Sequence, residues 1–362
     1  MPTNAELLFQ PIRLGNLHLP NRVVMAPMTR SQCPGGVPTE RVAAYYARRA
    51  AHGVGLIITE GVLIEDPVAG GYPDCPHMYG DAALQGWRGV IDAVHAAGGC
   101  IAPQIWHVGG IHRLGEPPNP QLPGLGPSEV REKGETLVRA MTPSDIERIV
   151  DAYATAARNA KKIGFDAVEI HGAHGYLIDQ FLWERTNRRS DAYGGNFAHR
   201  LRFAVEVVTA VRAAVGPEFP VIFRFSQFKP QDYAARLAEN PEMLAALLLP
   251  LRAAGVDIFH ASCRRYNDPE FPDSPLNLAG WSKKITGLPS ITVGSVGLDD
   301  VSWSGAKAAD IAPLLERLTR NEFDLVAVGR ALLADHAWAS KVRQGRLGEV
   351  DPFVKGSLQH FM

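Results

Sequence analysis

The chain has 362 residues, 46% of them hydrophobic and 21% charged, with a formal net charge of -1. This is ordinary globular composition, and the near-neutral balance gives no reason to expect nucleic acid or an anionic membrane as partner. Cys33, Cys75, Cys100 and Cys263 are scattered without paired spacing, which excludes zinc-ribbon and iron–sulfur patterns and predicts free thiols in a reducing compartment. The start of the chain has no basic region followed by an apolar run, and no uncharged stretch is long enough to span a bilayer, so a cytoplasmic location is expected.

Residues 7–19 alternate loosely around Gly15-Asn16 and predict a small hairpin. Residues 22–28 predict the first core strand, stopped by Pro27. A helix is expected over 39–52 with Thr39 as its cap, then a second strand over 55–59 ending at Glu60-Gly61. The apolar spacing of Leu84, Trp87, Ile91 and Val94 predicts a helix over 81–97. A third strand covers 100–105. Residues 109–140 are irregular and long enough to suggest a lid. Thr142-Pro143-Ser144-Asp145 is a helix start, and that helix runs to about 162.

The fourth strand, 165–170, leads into a loop carrying His171, His174 and Tyr176. Further strands are expected at 220–225, 256–260, 290–293 and 323–328, with helices over 197–215, 241–254, 281–286, 311–318 and 331–342. Eight apolar strands alternating with helices predict a single-domain (β/α)₈ barrel over 1–362, with its chemistry in the loops after the strands. A doubly wound sheet would need a Gly-x-Gly-x-x-Gly after the first strand, where the chain has Met28-Thr29-Arg30-Ser31.

Several side chains at strand ends are chemically loaded. His171 and His174 suit three roles: sharing a metal, packing as ordinary histidines, or directing two neutral N–H groups at one oxygen. Tyr176 would donate a proton from the other side. Gly294, Ser295, Gly329 and Arg330 follow the last two strands, where barrels often hold phosphate, although glycines also end barrel strands for geometric reasons. Arg224 within the fifth strand needs either an anionic ligand or a salt bridge. Gln104 in the third needs a ligand or a backbone partner. Tyr72, Trp106 and Tyr266 either line an apolar substrate slot or pack as loop aromatics. Arg185, Arg188 and Arg189, with Asp191 close by, read mainly as a salt-bridged loop.

The run from His171 to Leu182, followed by Thr186 to Gly195, resembles the Old Yellow Enzyme family of flavin-dependent ene-reductases. Met25-Ala26-Pro27-Met28-Thr29, Gln104-Ile105-Trp106-His107 and Gly329-Arg330 extend the resemblance over nearly the whole chain. It implies non-covalent FMN at the barrel mouth, with Ala26, Pro27, Met28, Thr29 and Gly61 against the ring. Gln104 would meet the pyrimidine edge and Arg224 the N1–C2 edge, while Gly294, Ser295, Gly329 and Arg330 would hold the phosphate. It further implies that NADPH or NADH reduces the flavin and that hydride then passes to the β-carbon of an enone or nitroalkene. His171 and His174 would hold the activating oxygen and Tyr176 would protonate the α-carbon.

Thr29 places the chain with the Thr-containing relatives, and Gly109-Gly110 replaces the Gly-Arg that many relatives carry there. No metal is implied, and the expected assembly is a monomer or homodimer. Competing readings are an FMN barrel acting on nitrate esters or amines, and a non-catalytic ligand-binding barrel.

Overall fold

The structure, a computed structural model, describes residues 5–359 and Phe361. Eight parallel strands close into a barrel: β1 Val23–Met25, β2 Leu56–Leu63, β3 Cys100–Trp106, β4 Val168–His171, β5 Val221–Ser226, β6 Ile258–Ser262, β7 Ser290–Val293 and β8 Leu325–Val328. Each strand pairs with its neighbours in sequence, and β8 closes the ring on β1 with Val326 opposite Val23. The return connections carry α1 Glu40–Ala51, α2 Asp81–Ala96, α3 Pro143–Ile163, α4 Leu177–Leu182, α5 Phe197–Val215, α6 Pro241–Ala254, α7 Leu278–Thr286 and α8 Ala312–Thr319. After β8 come α9 Arg330–Ala334 and α10 Trp338–Arg343. Among the described residues, no helix is long and apolar enough to cross a membrane.

Strand periodicity splits the core in two. Residues of one parity (Leu56, Ile58, Ala102, Ala167, Ile222, Ile258, Ile291, Leu325) fill the barrel interior. The opposite parity (Ile57, Ile101, Val168, Phe223, Phe259, Val326) packs outward under the helices. The hairpin of Ile12–Leu14 and Leu17–Leu19 adds Leu14, Leu17 and Leu19 to the interior cluster and so plugs the N-terminal end. The open end is therefore the C-terminal one.

Three aspartates satisfy the N–H groups that odd strands leave unpaired at that plugged end. Asp166, ahead of β4, accepts from Ile101 at 2.7 Å; Asp257, ahead of β6, accepts from Val221 at 2.8 Å. Asp324, ahead of β8, accepts from Ser290 at 3.0 Å. Helix starts are fixed by side-chain caps, with Asn196, Asn240 and Asn277 each accepting from the third residue on. Thr142 and Asp145 form a reciprocal box at the start of α3.

The structure corrects four expectations. β2 does not stop at Glu60-Gly61 but runs to Leu63, because a bulge between Ile58 and Gly61 resets its register against β3. Residues 109–140 contain a small sheet (Gly124–Gly126, Val130–Glu132, Glu135–Ala140), turned at Lys133 and Gly134, which both have positive φ. That sheet is bound to the loop after α4: Arg188 N–H donates to Ser128 Oγ at 2.8 Å, and the Arg189 guanidinium donates to Met141 O at 2.7 Å. The segment after Tyr176 is helical (α4) rather than a loop. The expected last helix is two, because the Asp335 carboxylate accepts the Ala337 N–H at 2.9 Å and starts a new turn.

Candidate active site

The open end of the barrel holds a cavity of about 460 Å³. Ala26, Pro27, Met28 and Thr29 line it from the loop after β1, and Gly61, Gln104 and Trp106 from β2 and β3. His171, His174 and Tyr176 line it from the β4 end, Arg224 from β5, Gly294 and Ser295 after β7, and Gly329 and Arg330 after β8. A Cβ at Gly61 would overlap the Trp106 indole, so the glycine is what lets Trp106 lie across the mouth.

At one pole stands the histidine pair. His171 Nδ1 accepts the Ala173 N–H at 3.3 Å, which leaves the ring proton on Nε2. His174 sits at φ 64, a strained value for a non-glycine residue. Its N–H donates to Ser226 Oγ at 3.1 Å. The next amide, Gly175 N–H, donates to Asp179 at 2.7 Å, and Asp179 is ion-paired with fully buried Lys229 at 2.8 Å. His174 Nε2 lies 2.9 Å from the Ser262 hydroxyl, which itself accepts from Arg224 Nη2 at 3.4 Å. That hydroxyl proton is thus free to go to His174, leaving Nδ1–H as the imidazole's donor. Burial first, and the Arg224 charge second, hold both imidazoles well below their usual pKa, so both are neutral donors.

Tyr176 meets His171 and Trp106 edge-on, with ring centroids at 5.1 and 4.8 Å. Burial, reinforced by neighbouring Tyr72, pushes its phenol up from its usual range. Tyr72 does not line the cavity. It stacks on the Trp106 ring at 5.9 Å and reaches Tyr176 from outside.

Beneath the pair lies a polar layer of inward-facing side chains. Gln104 Nε2 donates to Glu169 at 2.7 Å, and His260 Nδ1 lies 2.6 Å from the other Glu169 oxygen. Gln104 therefore has a carboxylate partner rather than the backbone one considered from sequence. Arg224 has no ion pair among the described residues, and its Nε is buried without a partner. Burial lowers its pKa, and Glu169 opposes that fall.

The opposite pole is built for an anion. Gly294 has φ 144, and a Cβ there would sit 2.7 Å from Cys263 O. Arg330 donates to Ser295 Oγ at 3.1 Å, to Asp300 O at 2.7 Å and to Ser302 O, all neutral acceptors. Tyr266 is the misplaced residue. Asn277 and Arg317 both donate to its carbonyl, at 2.6 and 3.1 Å, and its ring is buried in the outer core, away from the cavity.

Cavity-lining residues missed in the sequence include Phe228, Tyr233, Ser262, Arg264 and Trp303. Ser262 was reachable by extending the β6 alternation two residues past His260. Also missed was Glu60, a buried β2 carboxylate that accepts the N–H groups of Arg30 and Ser31 at 2.8 and 2.9 Å. Burial raises its pKa to about 7.

The model of the NADH:flavin oxidoreductase / NADH oxidase family matches residues 7–349. The chain belongs to that family. It is 35% identical over 357 residues to an NADH oxidase of Thermoanaerobacter brockii, covering 96% of this chain and 52% of the relative. It is 42% identical over 247 residues to a putative 12-oxophytodienoate reductase 2 of Oryza sativa subsp. japonica, covering 67% and 64%. The chain thus spans between half and two thirds of the length of these two curated relatives. Among solved structures it resembles morphinone reductase in complex with tetrahydroNAD, at TM-score 0.78 and 35% identity, with 94% and 91% of the two chains covered. It also resembles an old yellow enzyme homologue from Zymomonas mobilis, at TM-score 0.79 and 27% identity, with 97% and 96% covered.

Proposed function

We propose that this family member is an FMN-dependent, NAD(P)H-driven reductase of α,β-unsaturated carbonyl compounds or nitroalkenes. The cavity fits a flavin on its own chemistry. Arg224 offers a buried cation whose Nε has no partner, which suits the electron-rich N1–C2 edge of a reduced ring. Gln104 borders the same cavity and would take the pyrimidine edge, and the backbone of Ala26, Pro27 and Met28 with Thr29 would flank the ring. Gly61 lines the same cavity and would lie near the ring, and Gly294, Ser295, Gly329 and Arg330 would hold the phosphate. FMN, when bound, supplies the hydride that it has taken from NADPH or NADH.

The observation carrying the reading is the geometry of His171, His174 and Tyr176. Two neutral imidazoles, each with one ring nitrogen already engaged, keep the other N–H for a ligand at the mouth. Such a pair would grip a carbonyl or nitro oxygen and stabilise the charge that grows there, without a net cation to desolvate. Tyr176, protonated throughout the ordinary pH range, would give its proton to the α-carbon. Trp106 would wall the substrate, with Tyr72 stacked behind it.

The test is an anaerobic two-step experiment on purified protein. Adding NADPH or NADH bleaches the flavin, and adding 2-cyclohexenone restores its colour. Bleaching without recovery would sink the enone assignment, and protein that takes up no flavin when FMN is supplied would sink the reading altogether.

A further inference from the structure

We propose that Arg264, together with Tyr233, recognises a phosphate group at the rim of the cavity. This rests on the reading above and adds to it a ligand contact outside the residues already assigned. Arg264 stands two residues past the end of β6, half-buried, and lines the cavity. Its backbone is fastened to the anion pole: Ser295 Oγ donates to Arg264 O at 3.2 Å, and the same oxygen accepts from Arg330 Nη2 at 3.1 Å. Its guanidinium carbon sits 3.9 Å from the centre of the Tyr233 ring, which is 56% exposed. Packing on that ring holds the guanidinium in place and leaves its N–H groups for a ligand.

Charge points the same way. Two acids on neighbouring loops are already engaged: Glu270 by Arg236, and Asp232 by Arg185 at 3.2 Å. Arg264 makes no ion pair among the described residues. At Arg330 burial lowers the pKa, the Asp300 charge opposes that fall, and the nearby Arg264 charge adds to it. Asp300 thus acts on Arg330, but no carboxylate pairs with Arg264 among the described residues, and the fork of an arginine matches phosphate. The phosphate has two possible sources: the flavin's own 5′-phosphate, or the phosphates of the nicotinamide dinucleotide arriving from solvent past Tyr233.

The test compares wild type with Arg264→Gln and Arg264→Ala in two arms. In the first, apoprotein is titrated with FMN and with riboflavin, read by flavin fluorescence. In the second, flavin-loaded protein is titrated with tetrahydroNADP, read by the change in the flavin spectrum, and its reduction by NADPH is compared with that by 1-benzyl-1,4-dihydronicotinamide, which has no phosphate. Loss of one charge-assisted contact predicts roughly a tenfold or larger weakening. If the flavin is the source, FMN affinity falls by that factor and riboflavin affinity holds. If the dinucleotide is the source, tetrahydroNADP binding and the apparent NADPH affinity fall, while both flavins and the benzyl donor are unchanged. Both variants matching wild type in both arms overturns the assignment and leaves the flavoenzyme reading standing. Wild-type protein that binds no flavin overturns both.

Discussion

The hydroxyls of Tyr72 and Tyr176 lie 3.4 Å apart, one at the protein surface and one inside the cavity. Tyr176 is the reactive member of the pair in the proposed reaction, and Tyr72 is its partly exposed neighbour. Tyr176→Phe is expected to slow flavin reoxidation by 2-cyclohexenone by about 10²-fold or more, the usual worth of a positioned acid. Flavin reduction by NADPH should be unaffected. Tyr72→Phe should slow the same half-reaction by a smaller factor, since Tyr176 keeps its proton and loses only a neighbour. Stopped-flow measurement of each half-reaction separates the two. Equal rates in wild type and Tyr176→Phe would remove this tyrosine from proton transfer.

The histidine pair makes a prediction about pH. Burial holds both rings neutral well below the ordinary value of 6.5. Carbonyl binding, followed by flavin spectral shifts with a non-reducible ketone, should therefore be level between pH 8 and pH 6. Stability behaves differently. In the unfolded chain both rings take up protons as pH falls through about 6.5, and in the folded chain they do not. Their contribution is complete above that pH and is lost as pH drops below it. His171→Gln should flatten that acid limb in urea titrations, and an unchanged limb would mean that His171 is charged in the fold.

Glu60 gives the opposite sign. Its carboxyl is buried, and its pKa rises from 4.5 to about 7. Folding favours the protonated form, so its contribution is fully present below pH 4.5, falls as pH climbs to about 7, and is level above that. The span corresponds to roughly 3 kcal/mol. Glu60→Gln keeps an oxygen for the Arg30 and Ser31 N–H groups and removes the charge. The variant should gain stability relative to wild type as pH rises from 5 to 8, in the difference between their urea curves. A difference that does not vary with pH would place Glu60 outside this range.

The barrel was legible because parity and apolar runs carry it. The 220–225 expectation differs from β5 by one residue at each end, and α6 matches at both ends. What escaped notice lacked such a signal. The strand Val130–Glu132 has no fully buried residue, so nothing in it reads as a core run. All six residues of α4 are buried, which erases the one-sided pattern of a surface helix. Within the site, Gln104 and Arg224 stood out as polar residues inside apolar strands. Ser262 and Arg264 did not, because β6 runs two residues beyond its expected end. Tyr266 was misassigned because following a strand end says nothing about which way a ring turns. Here the ring packs into the outer core, while Asn277 and Arg317 hold the backbone carbonyl.

The ion pair of Asp179 and Lys229 supports His174 from beneath, and its two functions can be separated. Both side chains are fully buried and 2.8 Å apart. Removing one partner strands a charge where water cannot reach it, at a typical cost of about 3–5 kcal/mol. Lys229→Met is therefore expected to lower the urea midpoint sharply. Replacing both, as Asp179→Leu with Lys229→Met, should recover most of that loss because no buried charge remains. The double variant still lacks the acceptor for the Gly175 N–H, next to the strained His174. It should therefore fold, yet bind a non-reducible ketone several-fold more weakly than wild type while its FMN affinity is unchanged. Wild-type ketone affinity in the double variant would show that Ser226 and Ser262 alone hold His174 in place.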